Sequence, residues 1–252
     1  MRLLLKNKFP QAILSKVLLV SGLLFAQGCT TTNDQHSVIG ELIIAEPIAI
    51  NVKDEIALER LTQVLHFIQL QEFNQSYDAF DSVIELDPNY QFAYFNRGVA
   101  LYYGGRPNLA VDDFKAFKAY QVNDPYRVLW QYLANVELDQ QQAEQDLIAS
   151  AKLIDDSVWA KNVINLYLGK MSQELFIKLL TENIHTNQAL TERLCEAYFY
   201  LGKYSQMQGD VNAAINFFKL AMSTNVYEFV EHRYAKLELD LMRQNLQQNS
   251  TP

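Results

Sequence analysis

Apolar and small residues recur along most of this chain with the 3.6-residue period of amphipathic helices, and the pattern itself repeats. It is clearest from Cys195 to Val226, where Tyr198, Leu201 and Gly202 fall on one predicted helix and Ala214, Phe218 and Ala221 on the next. Between them stand Gly209, suited to the left-handed backbone that ends a helix, and Asp210, suited to capping the following one. From Gln91 to Asp124 the same order returns as Tyr94, Gly98, Ala110 and Phe114, with Gly104-Gly105 at the turn. Ala57 to Pro88 keeps only its second helix well, with Ser76, Phe80, Val83 and Pro88 in register. Arg127 to Trp159 shows Trp130, Leu133 and Ala134 and then a polar stretch from Gln140 to Gln145; Asn162 to Asn187 shows Leu168-Gly169 and little more. Both read as degenerate helical pairs.

The tetrapeptide Tyr-Leu-Gly-Lys occurs at residues 167–170 and again at 200–203, 33 residues apart. Extended backwards, that ruler meets Gly202, Gly169, Ala134, Gly98 and Val64 at spacings of 33, 35, 36 and 34. A helix-turn-helix repeat of about 34 residues is the tetratricopeptide signature. In it the small residue marks where paired helices cross, and a large one such as Phe218 fills the groove beside it. Against that pattern Arg97 stands where an apolar residue is usual and Phe117 where a small one is. The expected fold class is therefore all-α, an α-solenoid of such repeats over residues 54–246. Glu228 to Gln244 carries Phe229, Val230, Tyr234, Leu237, Leu239 and Leu241 against Glu231, Arg233, Lys236 and Glu238. It is expected to close the stack with one polar face towards water. Residues 247–252 are polar and expected to be a disordered tail. Leu42 to Ile44 and Ile48 to Val52 flank Pro47 and read as extended linker.

Repeats of this kind hold other proteins through the concave face lined by their first helices. By register that face carries Phe92, Phe95, Val99 and Tyr102 in one repeat, and Glu196, Phe199, Lys203 and Gln206 in the last. An exposed aromatic row would be a protein-binding patch, and a buried one would be packing between repeats. Arg97 and Arg127 also have two readings. One is a local salt bridge to the nearby Asp112, Asp113 or Asp124. The other is a carboxylate clamp that holds a peptide terminus with the forked guanidinium. The candidate partner-binding residues are Phe92, Phe95, Arg97, Tyr102, Phe199 and Lys203.

At the amino end, Arg2, Lys6, Lys8 and Lys16 precede or open an apolar stretch, Val17 to Ala26, and no acidic residue appears before Asp34. Ten or so apolar residues are too few for a bilayer about 30 Å thick, so residues 1–28 read as a secretory signal rather than a span. They end in Phe25-Ala26-Gln27-Gly28-Cys29, which resembles a bacterial lipoprotein cleavage site with Cys29 as the lipid-modified first residue. Such sites usually have Leu where Ala26 stands and a small residue where Gln27 stands; the alternative is ordinary cleavage with Cys29 incidental. Thr30 after the cysteine favours the outer membrane within the lipoprotein resemblance, and residues 29–53 become the tether. Removing residues 1–28 takes away four basic residues and no acid, leaving 17 Lys plus Arg against 29 Asp plus Glu and a formal charge of −12. Nucleic acid is thereby disfavoured as a partner. The charge either attracts basic proteins or only keeps the surface soluble.

No residue pattern points to catalysis, a cofactor or a metal. His36, His66, His185 and His232 lack paired ligand spacing. Glu231-His232-Arg233 are adjacent on a helix and face different ways. Gly104-Gly105-Arg106 has no GK[ST] continuation of a phosphate loop, and no Gly-x-Ser-x-Gly elbow occurs. With Cys29 lipidated, Cys195 is left alone; it reads as a small, half-buried thiol, with only Arg193 near to activate it.

Several segments together resemble a known family. They are Ala79 to Pro88, Asn96-Arg97-Gly98, Leu101 to Arg106, Asn123-Asp124-Pro125, Tyr200 to Tyr204 and Phe229 to Ala235. The chain is similar over about residues 54–242 to the lipoprotein NlpI family of Gram-negative bacteria. The resemblance implies a homodimeric tetratricopeptide adaptor, anchored in the outer membrane and facing the periplasm. Its implied partners are a processing protease of the Prc type and peptidoglycan endopeptidases of the MepS type, with a role in cell-wall hydrolysis and division. One departure stands out: most of a repeat that family members carry before the segment matching Asp78 is missing here, which puts amino-terminal dimer and partner contacts in doubt. The alternative reading is an assembly or chaperone lipoprotein for outer-membrane or pilus subunits.

Overall fold

The computed structural model describes residues 72–118, 122–227 and 229–249. The signal segment, Cys29, the tether, Val64 and the first helix expected within Ala57 to Pro88 lie outside them. Every regular element among the described residues is an α-helix: α1 (Phe73–Leu86), α2 (Gln91–Tyr103), α3 (Pro107–Lys118), α4 (Pro125–Val136), α5 (Gln140–Ala151), α6 (Ala160–Tyr167), α7 (Gln173–Leu179), α8 (Asn187–Met207), α9 (Val211–Ser223) and α10 (Val230–Asn249).

The starts of α4, α5, α7, α8 and α9 follow from capping chemistry. Asp124 Oδ1 accepts the Arg127 backbone N–H at 2.7 Å ahead of α4, with Pro125 pre-set for the first turn. Asp139, Ser172, Thr186 and Asp210 do the same for α5, α7, α8 and α9. The polar Gln140 to Gln145 stretch is thus a capped helix whose inner face is supplied by Ala143, Leu147, Ser150 and Ala151.

Consecutive helices pack as hairpins, α2 on α3, α4 on α5 and α8 on α9, while α2, α4, α6 and α8 also touch in series and form one inner layer. Two hairpins are built on the same contact. A Cβ added to Gly98 would stand 2.8 Å from the Phe114 ring, and one added to Gly202 would stand 2.4 Å from the Phe218 ring. Both distances are shorter than real Cβ atoms tolerate, so glycine is what lets the helices approach. Phe117, large where the repeat prefers a small residue, is fully buried and packs its ring 5.7 Å from Phe92 and 5.4 Å from Phe95.

Three expectations are corrected. Gly169 is not the counterpart of Gly202. It follows the end of α6 with φ of +64°, where its missing Cβ serves the left-handed backbone of a helix stop, and nothing lies within 4 Å of the position a Cβ would take. The first helix of the last hairpin begins at Asn187, two turns before Cys195, and Cys195 is fully buried in a small cluster with Val226 and Phe229. Finally, α10 caps the stack on α9 and α8, but its wet face is confined largely to its second half. Between Glu231 and Leu239 only Lys236 is exposed and Arg233 is half-buried; Glu231, His232, Tyr234, Ala235, Leu237, Glu238 and Leu239 are all buried. It continues to Asn249, into the stretch expected to be a tail.

Candidate functional site

The inner layer of first helices forms a concave face; α10 packs on α9 and α8 and reaches α2 and α4 across that face through the side chains of Tyr234 and Glu238. Tyr234 of α10 is boxed by rings from three different hairpins: Tyr103 at 5.6 Å, Trp130 at 5.3 Å and Phe199 at 6.4 Å between centroids. Trp130 and Phe199 are themselves 6.0 Å apart, and both are fully buried. Tilted and edge-on ring pairs at these separations each add about 1 kcal/mol to simple burial.

One helical turn beyond Tyr234, Glu238 enters a polar cluster. Its Oε1 receives Lys203 Nζ at 2.6 Å and the Tyr103 hydroxyl at 2.9 Å, and its Oε2 receives Gln206 Nε2 at 2.9 Å. Lys203 Nζ also donates to the Tyr102 hydroxyl at 2.9 Å and lies 5.1 Å from the centre of that ring. The Lys203 and Glu238 side chains are 7% and 5% exposed, which makes this a buried ion pair with each charge also hydrogen-bonded. Burial alone would lower the Lys203 ammonium, but Glu238 and the Tyr102 hydroxyl outweigh it and hold Lys203 above its ordinary value. Burial raises Tyr102 to about 12, against the opposing pull of Lys203. Burial and then Glu238 raise Tyr103 well above a free phenol.

Of the six candidate residues, the structure brings Tyr102, Phe199 and Lys203 together at this seat and places the other three elsewhere. Phe92 and Phe95 turn towards α3, against Phe117 and Phe114, and serve the inside of their own hairpin. Arg97 faces α1 and α3: its Nε and Nη2 donate to Asp113 at 2.8 and 2.6 Å, and its Nη1 donates to Asp81 at 2.7 Å. Its guanidinium also lies 5.6 Å from the ring centres of Tyr77 and Tyr94. The fork is therefore filled by the chain's own carboxylates, the local salt bridge of the two readings. Arg127 is fully buried and donates to Gln131 Oε1 at 2.7 Å and the Val122 carbonyl at 3.2 Å; its desolvation lowers its pKa despite Asp124.

Tyr103, Tyr234 and Glu238 were missed as site residues. Their signal was present in part: Tyr102 and Tyr103 are consecutive, so a helix sends them to different neighbours, and Tyr234 and Glu238 share a face four residues apart. No group of three or more His, Cys, Asp or Glu among the described residues is arranged to hold a metal ion. No described helix is long and apolar enough to cross a membrane. The seat thus receives the aromatic ring of Tyr234 and, one turn on, the carboxylate of Glu238.

No protein-family model matches the chain. Among the solved structures similar to it are two crystal structures of MamA. One has 18% sequence identity, covers 68% of this chain and 92% of its own, and gives a TM-score of 0.40. The other has 18% identity, covers 71% and 96%, and gives 0.34. Neither likeness bears on function, which is argued from the concave face.

Proposed function

We propose that this chain is a protein-binding adaptor: an α-solenoid that takes hold of one partner and keeps a second beside it, raising the effective concentration of each near the other. The observation that carries this reading is the concave face itself, where Tyr103, Trp130, Phe199 and Lys203 from three hairpins converge on one helix and satisfy both its ring and its charge. A surface that reads an apolar anchor and a carboxylate at helical spacing is the machinery of helix-in-groove recognition. At the seat, Lys203, Tyr102, Tyr103 and Glu238 hydrogen-bond with one another.

The finer reading follows the family resemblance. It makes the partners a Prc-type processing protease and MepS-type peptidoglycan endopeptidases. It places the chain at the outer membrane through lipid on Cys29, as a homodimer acting in cell-wall hydrolysis. Its support is the set of matching segments, of which Asn96-Arg97-Gly98 and Tyr200 to Tyr204 lie on the two helices built around Gly98 and Gly202.

The test is affinity capture with the full chain, expressed in a Gram-negative cell, extracted from membranes with detergent and analysed by mass spectrometry. Co-recovery of a processing protease with cell-wall hydrolases is expected. Recovery of outer-membrane or pilus subunits alone would overturn the adaptor in favour of an assembly role.

A further inference from the structure

The last helix is an anomaly of composition. Val230 to Asn249 is rich in Glu, Gln, Asn, Arg and Lys, yet its first half is enclosed on nearly every side. Core helices are apolar all round, and polar helices lie at the surface with one face wet. A polar helix held inside must have its buried charges matched by the groups around it. Here Glu238 is matched by Lys203, Tyr103 and Gln206, and His232 Nε2 lies 3.1 Å from the Met222 carbonyl oxygen. Such a contact specifies one partner sharply while contributing less than an apolar one of the same size, because both charges are well solvated when apart. The connection leading to α10 also passes through Asn225, a non-glycine residue with φ of +54°. Asn225 directly follows the Thr224 C-cap of α9, and Asn is, after glycine, the residue that most readily takes this left-handed helix-ending backbone.

We propose that α10 is an internal occupant of the adaptor's own binding seat. It keeps the concave face closed until a partner helix with the same chemistry, an aromatic residue followed four positions later by a carboxylate, takes its place. The inference rests on the adaptor reading and adds to it the kind of partner segment recognised and the device that regulates it. Tyr234 occupies the box of Tyr103, Trp130 and Phe199, and Glu238 neutralises Lys203. An incoming helix with those two groups leaves no ring uncovered and no charge orphaned. A helix without the carboxylate would strand the Lys203 ammonium in the interior, and one without the ring would leave the box empty. The apparent affinity for any such partner is its intrinsic affinity reduced by the fraction of molecules with α10 undocked.

Two measurements on the full chain test this. In the first, a fluorescent synthetic peptide with the sequence of residues 229–249 is titrated into the wild-type chain and into the Glu238→Gln variant. The variant weakens the internal helix and is expected to bind the peptide on the order of tenfold more tightly than wild type. A second peptide, with Gln at the Glu238 position, is expected to lose that gain. Equal affinity of wild type and a natively helical E238Q chain for the first peptide would overturn the proposal. In the second, which needs no variant, hydrogen exchange is followed along the wild-type chain. Amides of α10 are expected to exchange by a local opening, ahead of those in α8 and α9. Exchange of α10 together with α8, in the slowest and global class, would sink the idea, because a core helix cannot serve as an occupant. Neither measurement depends on which cellular proteins are captured, so the choice of partners and the closed seat fail separately.

Discussion

Gly202 lies against the ring of Phe218 so closely that a single methyl group placed on the glycine would sit 2.4 Å from the nearest ring carbon. Helix propensity favours alanine over glycine by about 1 kcal/mol in a helix interior. Overpacking a close helix crossing costs about 1–3 kcal/mol, and here the obstructing atom belongs to a fully buried ring. Gly202→Ala is therefore expected to destabilise by up to about 2 kcal/mol, read as a lower urea midpoint at unchanged slope. Gly98→Ala, with its 2.8 Å approach to Phe114, should cost less. Phe218→Leu in the Gly202→Ala background should recover part of the loss; additive penalties in that double-mutant cycle would show that the two residues are not one contact.

Arg97 is expected to act as a structural fork. Its two bonds to Asp113 and one to Asp81 require a planar guanidinium, which lysine cannot reproduce. Arg97→Lys should lower stability by about 1–2 kcal/mol, and Asp113→Ala by about 3 kcal/mol, because it leaves a part-buried cation with only the more exposed Asp81. Chemical denaturation of the two variants tests the order. If Arg97→Lys leaves stability unchanged but removes binding of a peptide carboxylate, the clamp reading replaces the structural one.

Tyr200 is fully buried, and its hydroxyl finds no hydrogen-bond partner among the described residues. The bond its residue does make uses the backbone carbonyl, which accepts from the Tyr167 hydroxyl at 2.9 Å and survives replacement of the side chain. Tyr200→Phe should thus be neutral or stabilising by up to about 1 kcal/mol. A melting temperature several degrees lower would mean the hydroxyl is paired after all.

Alkaline pH should unfold the protein cooperatively. Tyr102 titrates at about 12 in the fold, and burial raises Tyr103, Tyr167 and Tyr200 well above an ordinary phenol. An acid whose folded pKa is raised contributes stability that is constant below its unfolded value, about 10, and is lost as pH climbs from there to the folded value. Lys203, raised by Glu238 and Tyr102 against its burial, acts in the same direction: its contribution is complete below its ordinary value and disappears as pH passes the folded one. Helical circular dichroism and phenolate absorbance are expected to change together in one transition above pH 10. Most phenols ionising with the helices intact would contradict it.

The helices were legible because their determinants are local. The crossing glycines Gly98 and Gly202 and the turn at Gly209-Asp210 could each be read from the repeat pattern around them. What failed did so where a distant contact decides the role. Gly169 and Gly202 sit in identical tetrapeptides, but one ends a short helix and the other is clamped by Phe218, a residue outside the tetrapeptide. Likewise α10 has the polar pattern of a surface helix, and only the meeting of Glu238 with Lys203, Tyr103 and Gln206 explains how it lies inside. Phe92, Phe95 and Tyr102 share a helical face by register, yet the first two turn to α3 and the third to Lys203. A periodicity states that a face is covered without stating by what.

The enclosed ammonium of Lys203 has a practical consequence. Amine-acylating reagents need both access and the neutral amine, and Lys203, 7% exposed and held protonated, offers neither while Glu238 stands over it. Lys236, on α10 with Glu238, faces water and provides an internal reference for reagent dose. The ratio of label at these two lysines is a gauge of whether the concave face is open or shut, readable in intact cells without a tag or a known partner.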